Sequence, residues 1–310
     1  MKNGARSLLK NLALFLPLAL VLYVALLCVL GSVAPEMLKN LSYPIGAYGH
    51  MHSRIKEARA TKNTDVLFVG SSHAYRGLDT RVFEQAGINS FNLGSSSQTP
   101  IQTQILLQRY MRNLNPEVII YEVNPSSFTS DGVESALDIM ANDKLGWDIA
   151  EMVWQIKDIR LINSFIFAAF RQLTGADDDF TEEIKKEKDT YIKGGFVEME
   201  VAFFRQTEPV APVSFCPKPE QWQAFEETVK LLNKEGITLI LVQAPVTKTY
   251  YQTGPDFEKQ MQQYAPYYNF NNRLPLNDSL HFYDEHHLNQ HGVTIFNEAL
   301  IQELLPVLKP

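Results

Sequence analysis

The sequence predicts an α/β domain built on a parallel sheet, preceded by one apolar segment at the N-terminus. Short apolar runs with the composition of buried strands occupy 65–69, 90–94, 117–123 and 237–242. Segments with a helical pattern lie between them, at 99–114 and 220–234. Strands that alternate with helices form parallel sheets, and ligands gather at the carboxyl ends of those strands. We therefore expect the functional side chains just after each strand.

The size and charge of the chain restrict its class. A chain of 310 residues, 45% of them hydrophobic, can bury one substantial core but not several. Its formal net charge is -7 and its sequence pI is near 5.6. Because affinity for a phosphate backbone requires clustered Lys and Arg, we expect no nucleic acid partner.

Residues 12–33 form an uncharged apolar run that predicts a transmembrane helix. At about 1.5 Å per residue, such a helix is long enough to cross a hydrocarbon layer of about 30 Å. A cleaved signal peptide is the alternative, because Ser32, Val33 and Ala34 resemble a small-residue cleavage site. Pro35 directly after that site would hinder a peptidase, which favours retention as an anchor. The membrane is thus an expected partner.

The distribution of basic residues predicts the orientation of this span. Lys2, Arg6 and Lys10 precede it, which favours a cytoplasmic N-terminus at 1–11 and an extracytoplasmic C-terminal domain, periplasmic or on the cell surface. Basic residues also follow the span, at Lys39, Arg54, Lys56, Arg59 and Lys62. Most of those lie at or beyond the distance over which loop charges steer orientation.

The rest of the chain divides into a stalk and a domain. Residues 34–62 are predicted to be a connecting stalk, because Ser42, Pro44 and Gly46 interrupt any long helix. The domain is predicted at 63–310. Within it the strand pattern lapses, which predicts a helical insertion at about 126–216 that ends in a charged, solvated run.

A serine, an aspartate and a histidine suggest nucleophilic catalysis. A serine hydroxyl needs a base, an acceptor that orients the base, and donors for the developing oxyanion. Ser72 follows the first predicted strand, and Asp284 precedes His287 by three positions where an apolar helical pattern begins. That spacing lets the carboxylate orient the imidazole toward the serine. Taken alone, a turn serine and an Asp-His pair can also be purely structural.

Four sequence blocks carry a resemblance to a known family: DVLFVGSSHAYRG, SFNLGSSS, VIIYEVNP and YDEHHLNQHG, in this order. They resemble the blocks of the SGNH (GDSL-like) hydrolase superfamily, and membrane-anchored cell-envelope members in particular. The resemblance implies a three-layer α/β/α flavodoxin-like fold from about residue 65 onward. It implies Ser72 as nucleophile, completed by Asp284 and His287. It also implies oxyanion donors at Ser72, Gly94 and Asn124.

Two positions depart from the family pattern. Ser71 stands where many members carry aspartate, a variation also found among envelope members. The third block has Glu122 where glycine is usual, two positions before Asn124.

The resemblance implies a membrane-anchored, extracytoplasmic serine esterase or O-acyltransferase that acts on acyl esters of cell-envelope glycans. Its acyl-enzyme would pass the acyl group to water or to a sugar hydroxyl, and the same triad serves both. A transferase would work beside a multi-span membrane acyltransferase. The alternative is a non-catalytic SGNH-like domain that binds glycan or scaffolds such an acyltransferase.

Other polar residues near these blocks leave alternatives open. His73, Tyr75 and Arg76 either line the pocket, where they could bind an anionic group, or pack the start of a helix. His287 and His291 have the i, i+4 spacing of two metal ligands on a helix, which would suit metal-dependent hydrolysis. No further cluster in the sequence completes such a site, so we expect no metal and no cofactor.

Overall fold

The computed structural model of the chain describes residues 2–205, 215–251 and 254–308. The helices, in chain order, are α1 (Lys2–Val33), α2 (Met51–Ala60), α3 (Ser72–Gly77), α4 (Thr80–Gln85), α5 (Pro100–Leu114), α6 (Pro125–Thr129), α7 (Val133–Asn142), α8 (Trp147–Ile156), α9 (Ile159–Thr174), α10 (Pro219–Glu235), α11 (Pro255–Gln262), α12 (Asp278–His281) and α13 (Gln290–Leu308), with a 3₁₀ turn at Pro35–Met37. The strands are β1 (Val66–Val69), β2 (Ser90–Asn92), β3 (Val118–Glu122), β4 (Lys185–Lys186), β5 (Asp189–Ile192), β6 (Phe196–Met199), β7 (Thr238–Gln243) and β8 (Tyr267–Asn269). These elements form two compact units. The first unit consists of Met1–Tyr43 and Lys144–Phe180, and the second unit consists of Pro44–Asp143 and Thr181–Pro310.

A five-stranded parallel sheet forms the centre of the second unit, in the order β2-β1-β3-β7-β8. This is the strand order of flavodoxin-like sheets, in which the chain winds outward in both directions from β1 and β3. The expected α/β class and parallel sheet are confirmed. Ligands in such sheets bind beyond the carboxyl ends of the two strands at this switch point.

Helices cover both faces of this sheet. The cluster under α3, α4 and α13 contains Val66, Phe68, Val118, Ile120, Ile240 and Val242 from the strands, Ala74, Phe83, Phe296 and Leu300 from the helices, and Leu78 directly after α3. Side chains alternate along a strand, so Tyr121 lies on the opposite face, where its ring centroid is 5.9 Å from that of Phe225 in α10. α10 packs against both α5 and β7. The architecture is therefore the expected three-layer α/β/α arrangement.

A second, antiparallel sheet of β4, β5 and β6 lies inside the predicted insertion. Its strands are two to four residues long, too short to show the alternation by which strands are recognised. The prediction of a solvated charged run is wrong for part of this region. Glu182 is buried, and Asp189 accepts two hydrogen bonds from Arg76.

The predicted stalk at 34–62 is also wrong in its second half, because 44–62 belongs to the second compact unit. α2 buries Met51, Arg54, Ile55 and Ala58, which share one helical face at the i, i+3, i+4, i+7 spacing. The guanidinium of Arg54 is fully buried, donates from Nε to the carbonyl oxygen of Gly195 at 3.0 Å, and interrupts the apolar pattern. Because Arg54 is charged, the apolar pattern of the sequence did not predict this helix.

The first unit contains α1, α8 and α9. α1 includes one segment, Arg6–Val33, that is long and apolar enough to cross a membrane. α1 packs on α9: the Tyr23 hydroxyl donates to Asn163 Oδ1 at 2.6 Å, and a Cβ at Gly31 would lie 2.7 Å from the Phe167 ring. The predicted insertion at 126–216 is thus divided between the units: 144–180 belongs to this first unit, whereas α7 and β4 to β6 belong to the second.

Candidate active site

The turn between β1 and α3 positions Ser72. Gly70 has a φ of +138°, and a Cβ there would lie 2.7 Å from the carbonyl oxygen of Glu122, so the backbone of β3 requires glycine at this position. Ser71 caps α3, since its Oγ accepts from the backbone N–H of His73 at 3.3 Å. Ser72 is the first residue of the helix. Its side chain therefore lies at the carboxyl end of β1.

The loop before α13 positions the acid and the base. The Nδ2 amide of buried Asn289 donates to the carbonyl oxygen of Leu280 at 2.9 Å, and the Tyr283 N–H donates to the carbonyl oxygen of His287 at 2.8 Å. Asp284 and His287 thus belong to a tight loop. The sequence predicted them at the start of the final helix, but α13 begins only at Gln290.

The structure brings Ser72, His287 and Asp284 together. Ser72 Oγ lies 2.8 Å from His287 Nε2, and His287 Nδ1 lies 2.8 Å from Asp284 Oδ2. Asp284 Oδ1 also accepts from the backbone N–H groups of His286 at 2.9 Å and His287 at 2.8 Å. Residues 215 positions apart in sequence therefore form one continuous hydrogen-bonded chain.

The charge of Asp284 suits an orienting role. Burial raises the pKa of its carboxyl group, but the hydrogen bond to His287 and the charges of His287 and His286 outweigh burial and hold the pKa below its usual range. Asp284 is therefore ionised at neutral pH. An ionised acceptor on Nδ1 keeps Nε2 directed at the hydroxyl and stabilises the imidazolium that forms when Nε2 takes a proton.

Asn124 and Ser72 occupy equivalent positions just beyond the ends of two neighbouring strands, β3 and β1. Val69 of β1 pairs with Tyr121 of β3, so both residues lie three positions beyond a paired residue. Asn124 Oδ1 accepts from the backbone N–H of Ser126 at 3.0 Å, whereas its Nδ2 has no hydrogen-bond partner among the described residues. An amide held by its oxygen with its nitrogen available is what an oxyanion donor requires.

Gly94 differs from its predicted role. Its backbone N–H already donates to Asn92 Oδ1 at 3.1 Å, so it would have to be shared or released to bind an oxyanion. A Cβ at Gly94 would lie 3.0 Å from the carbonyl oxygen of Gly70 and 3.1 Å from the Cβ of Ala74. Gly94 therefore allows the second block to pack closely against the turn that carries Ser72.

Replacing Gly94 by alanine is expected to lower kcat for an ester substrate by about 100-fold with little change in KM. The added Cβ pushes the Ser72 turn outward, and a displacement of about 1 Å of a reacting group can cost that much. Steady-state kinetics of Gly94→Ala measure the effect. Gly254→Ala is the control, because a Cβ there has no neighbour within 4 Å among the residues that the structure describes. A wild-type kcat for Gly94→Ala would show that this close packing is not needed.

A second chain of polar groups runs beside the triad. Ser71 Oγ lies 3.1 Å from His73 Nδ1 and donates to Glu122 Oε2 at 3.3 Å, and His73 Nε2 lies 3.3 Å from His286 Nδ1. Burial raises the pKa of Glu122 to about 8. Burial and the neighbouring His287 lower the pKa of His286 to about 4 and that of His73 as well. At neutral pH these groups are largely uncharged.

The sequence did not single out Glu122 or His286 as site residues. The signals were present in the His286-His287 doublet and in His73 directly after Ser72, but these residues come together only in the folded chain. His291, which shares the i, i+4 spacing with His287 in the sequence, stacks on Phe203 with ring centroids 6.3 Å apart and does not join the cluster. Tyr75 is buried.

A polar cavity of about 400 Å³ opens beside His287 and Asp284. Its other lining residues include Arg76, Lys186, Lys188, Asp189 and Tyr283. Arg76 is held by Asp189 through two hydrogen bonds of 2.7 and 2.8 Å, and the ammonium of Lys188 lies 5.8 Å from the centroid of the Tyr283 ring. The lining of this cavity therefore combines charged hydrogen-bond donors and acceptors with the aromatic ring of Tyr283.

No protein-family model and no curated protein sequence matches the chain. Among solved structures, it is similar to one assigned as an acylhydrolase from Bacteroides fragilis NCTC 9343, at 11% identity and a TM-score of 0.42, covering 83% of this chain and 95% of that chain. It is also similar to a GDSL-like lipase from Bacteroides thetaiotaomicron VPI-5482, at 10% identity and a TM-score of 0.42, covering 84% of this chain and 98% of that one. At this level of likeness, the chemistry has to be argued from the residues of the site.

Proposed function

We propose that the protein is a serine esterase or O-acyltransferase that acts on acyl esters of cell-envelope glycans. The observation that carries this proposal is the hydrogen-bonded chain from Ser72 Oγ through His287 to Asp284, with 2.8 Å at both links. A hydroxyl, an imidazole and an ionised carboxylate in this order form the arrangement that activates a serine nucleophile.

The proposed mechanism has two transfers of an acyl group. His287 Nε2 takes the proton of Ser72 while Oγ attacks the ester carbonyl, and the Ser72 amide and Asn124 Nδ2 stabilise the oxyanion. The protonated imidazole then gives its proton to the leaving alcohol as the ester C–O bond breaks. In the second transfer His287 takes a proton from water or a sugar hydroxyl, whose oxygen attacks the acyl-enzyme. The bond between Ser72 Oγ and the acyl carbon then breaks, and His287 returns the proton to Oγ.

The character of the adjoining cavity supports a glycan over a lipid substrate. A site for a long acyl chain is expected to be mostly apolar, whereas this cavity carries Arg76, Lys186, Lys188 and Asp189. Such groups bind hydroxyl-rich ligands, and Tyr283 offers a ring face to a sugar. The acyl group would accordingly be short.

The N-terminal helix supports action at a membrane surface, with α1 as the anchor and the catalytic unit on the extracytoplasmic side. Lys2, Arg6 and Lys10, which precede the uncharged apolar run at 12–33, favour that orientation. For a transferase, a multi-span acyltransferase would supply the acyl group across the membrane.

The test compares esters and acceptors with the full chain in detergent. We expect turnover of p-nitrophenyl acetate at least 100-fold faster, in kcat/KM, than of p-nitrophenyl palmitate, because the cavity is polar. Adding a soluble oligosaccharide should divert the acetyl group from water to sugar if the protein is a transferase, and mass analysis of the sugar measures this. If no ester is turned over and Ser72 does not react with a fluorophosphonate, the protein is instead a non-catalytic glycan-binding or scaffolding domain.

A further inference from the structure

We propose that His73, His286 and His287 form a binding site for one divalent metal ion of the zinc class, and that the bound ion inhibits the proposed activity. One ring nitrogen of each histidine lies within 4.8 Å of one ring nitrogen of the other two. Neutral imidazole nitrogens are preferred ligands of zinc, and three of them with one open position form a common arrangement. The metal site stands independently of the proposed function; only the inhibition rests on it.

The distance between two of these rings already suits an ion. His73 Nε2 and His286 Nδ1 are 3.3 Å apart. Two nitrogens that bind one tetrahedral zinc ion at about 2.05 Å each are about 3.4 Å apart. The ion would therefore replace the hydrogen bond between these two rings with little change in their separation.

A small cavity lies beside the three rings. Its volume is about 10 Å³, and its lining includes His73, His286 and His287 together with Ala244 and Pro245. That volume is close to the least that can hold one water molecule, and so one ion. His73 is buried, while His286 is partly exposed, which gives an ion a route from solvent.

The groups behind His73 hold it in the form that binds a metal. Its Nδ1 lies 3.1 Å from Ser71 Oγ, which itself donates to Glu122 Oε2. With Ser71 Oγ accepting the proton of Nδ1, the lone pair of Nε2 points toward His286. Metal-binding histidines usually have such a partner on the second nitrogen, and the partner contributes to affinity.

The nearby charges are mixed. Arg76 also lines the small cavity and opposes a cation, but its guanidinium is paired with Asp189. The Asp284 carboxylate favours a cation, since its Oδ1 lies 4.0 Å from His286 Nε2.

Inhibition follows from the position of His287. Its Nδ1 is bonded to Asp284 Oδ2, so only Nε2 is available to a metal. Nε2 is also the atom that lies 2.8 Å from Ser72 Oγ. One lone pair cannot both hold an ion and take the serine proton, so the metal competes directly with nucleophile activation.

The experiment measures metal binding and activity separately in the full chain, purified in detergent and treated with chelator. We expect one Co²⁺ per chain, with the visible absorption of a tetrahedral site, displaced by one Zn²⁺. Zn²⁺ should lower turnover of p-nitrophenyl acetate at least 10-fold, and chelator should restore it. The variants His286→Ala and His73→Gln should each weaken binding by more than 100-fold, and Ser71→Ala by about 10- to 100-fold.

His291→Ala is the matched control, because this histidine lies outside the cluster and should leave binding unchanged. The proposal is overturned if the wild-type chain binds no Co²⁺ or Zn²⁺ at micromolar concentration, or if His286→Ala and His73→Gln bind as tightly as the wild type. Binding without any esterase activity would leave the metal site standing and count against the proposed function. Binding with full activity would refute the inhibition.

Discussion

Replacing Ser72 by alanine is expected to reduce kcat/KM for p-nitrophenyl acetate by at least about 10⁴-fold. In the proposed mechanism the hydrogen-bonded chain from Asp284 and His287 activates this hydroxyl, so its loss removes the covalent pathway. Any residual rate would come from substrate binding and oxyanion donors. Members of a triad act as a unit, so Ser72→Ala with His287→Ala should be little slower than either alone. Steady-state kinetics of the three variants test this.

Labelling separates Ser72 from its neighbour Ser71. A fluorophosphonate should add one adduct to the wild-type chain and none to Ser72→Ala, as read by intact mass. Ser71→Ala should still be labelled, because Ser71 Oγ bonds His73 and Glu122 instead of His287. Labelled Ser72→Ala, or near wild-type turnover by that variant in a folded state, would refute the nucleophile assignment.

Replacing Glu122 by glutamine is expected to make the protein markedly more stable than the wild type at alkaline pH. Burial raises the pKa of Glu122 to about 8 in the folded state from 4.5 in the unfolded state, so the folded state holds a proton that the unfolded state has lost. Wild-type stability therefore falls as pH rises from about 4.5 to 8 and levels off above. The free energy of unfolding of the wild type decreases by at most roughly 5 kcal/mol over this pH range.

Urea unfolding at pH 5 and pH 9, with chelator present to keep metal out, measures this difference. The free energy of unfolding of Glu122→Gln relative to the wild type should increase between the two pH values. Glu117→Gln is the control, because Glu117 is an exposed carboxylate just before the same strand. If Glu122→Gln and the wild type show parallel pH profiles, Glu122 is ionised in the folded protein and the buried network has to be reinterpreted.

Four of the five strands of the central sheet were predicted, and of these β1, β3 and β7 are recognisable because they are buried on both faces; β8, whose three residues are only partly buried, was not predicted. The segments 66–69 and 118–121 are continuously apolar, and they form β1 and most of β3. The close approach of Ser72 and His287 was predicted from the resemblance of four ordered sequence blocks to a known family, because a turn serine and an Asp-His pair alone do not require it. Their catalytic roles remain predictions.

Other features were not predictable from local patterns. α2 buries Arg54, which breaks the apolar pattern on its inner face, and β4 to β6 are too short to show any period. The approach of His73 to His286 joins residues 213 positions apart, with no local signal to mark it. Each of these depends on tertiary contacts that propensity and periodicity do not contain.

The separation of Ser72 from His287 also affects when the protein can first react. During synthesis the hydroxyl leaves the ribosome 215 residues before its base, a delay of roughly 10 to 40 s at ordinary elongation rates. Throughout that interval the nascent chain carries an inert alcohol, and a chain that terminates before residue 284 stays inert. On the proposed function, Ser72 therefore becomes reactive only after His287 has been synthesised and has folded against it.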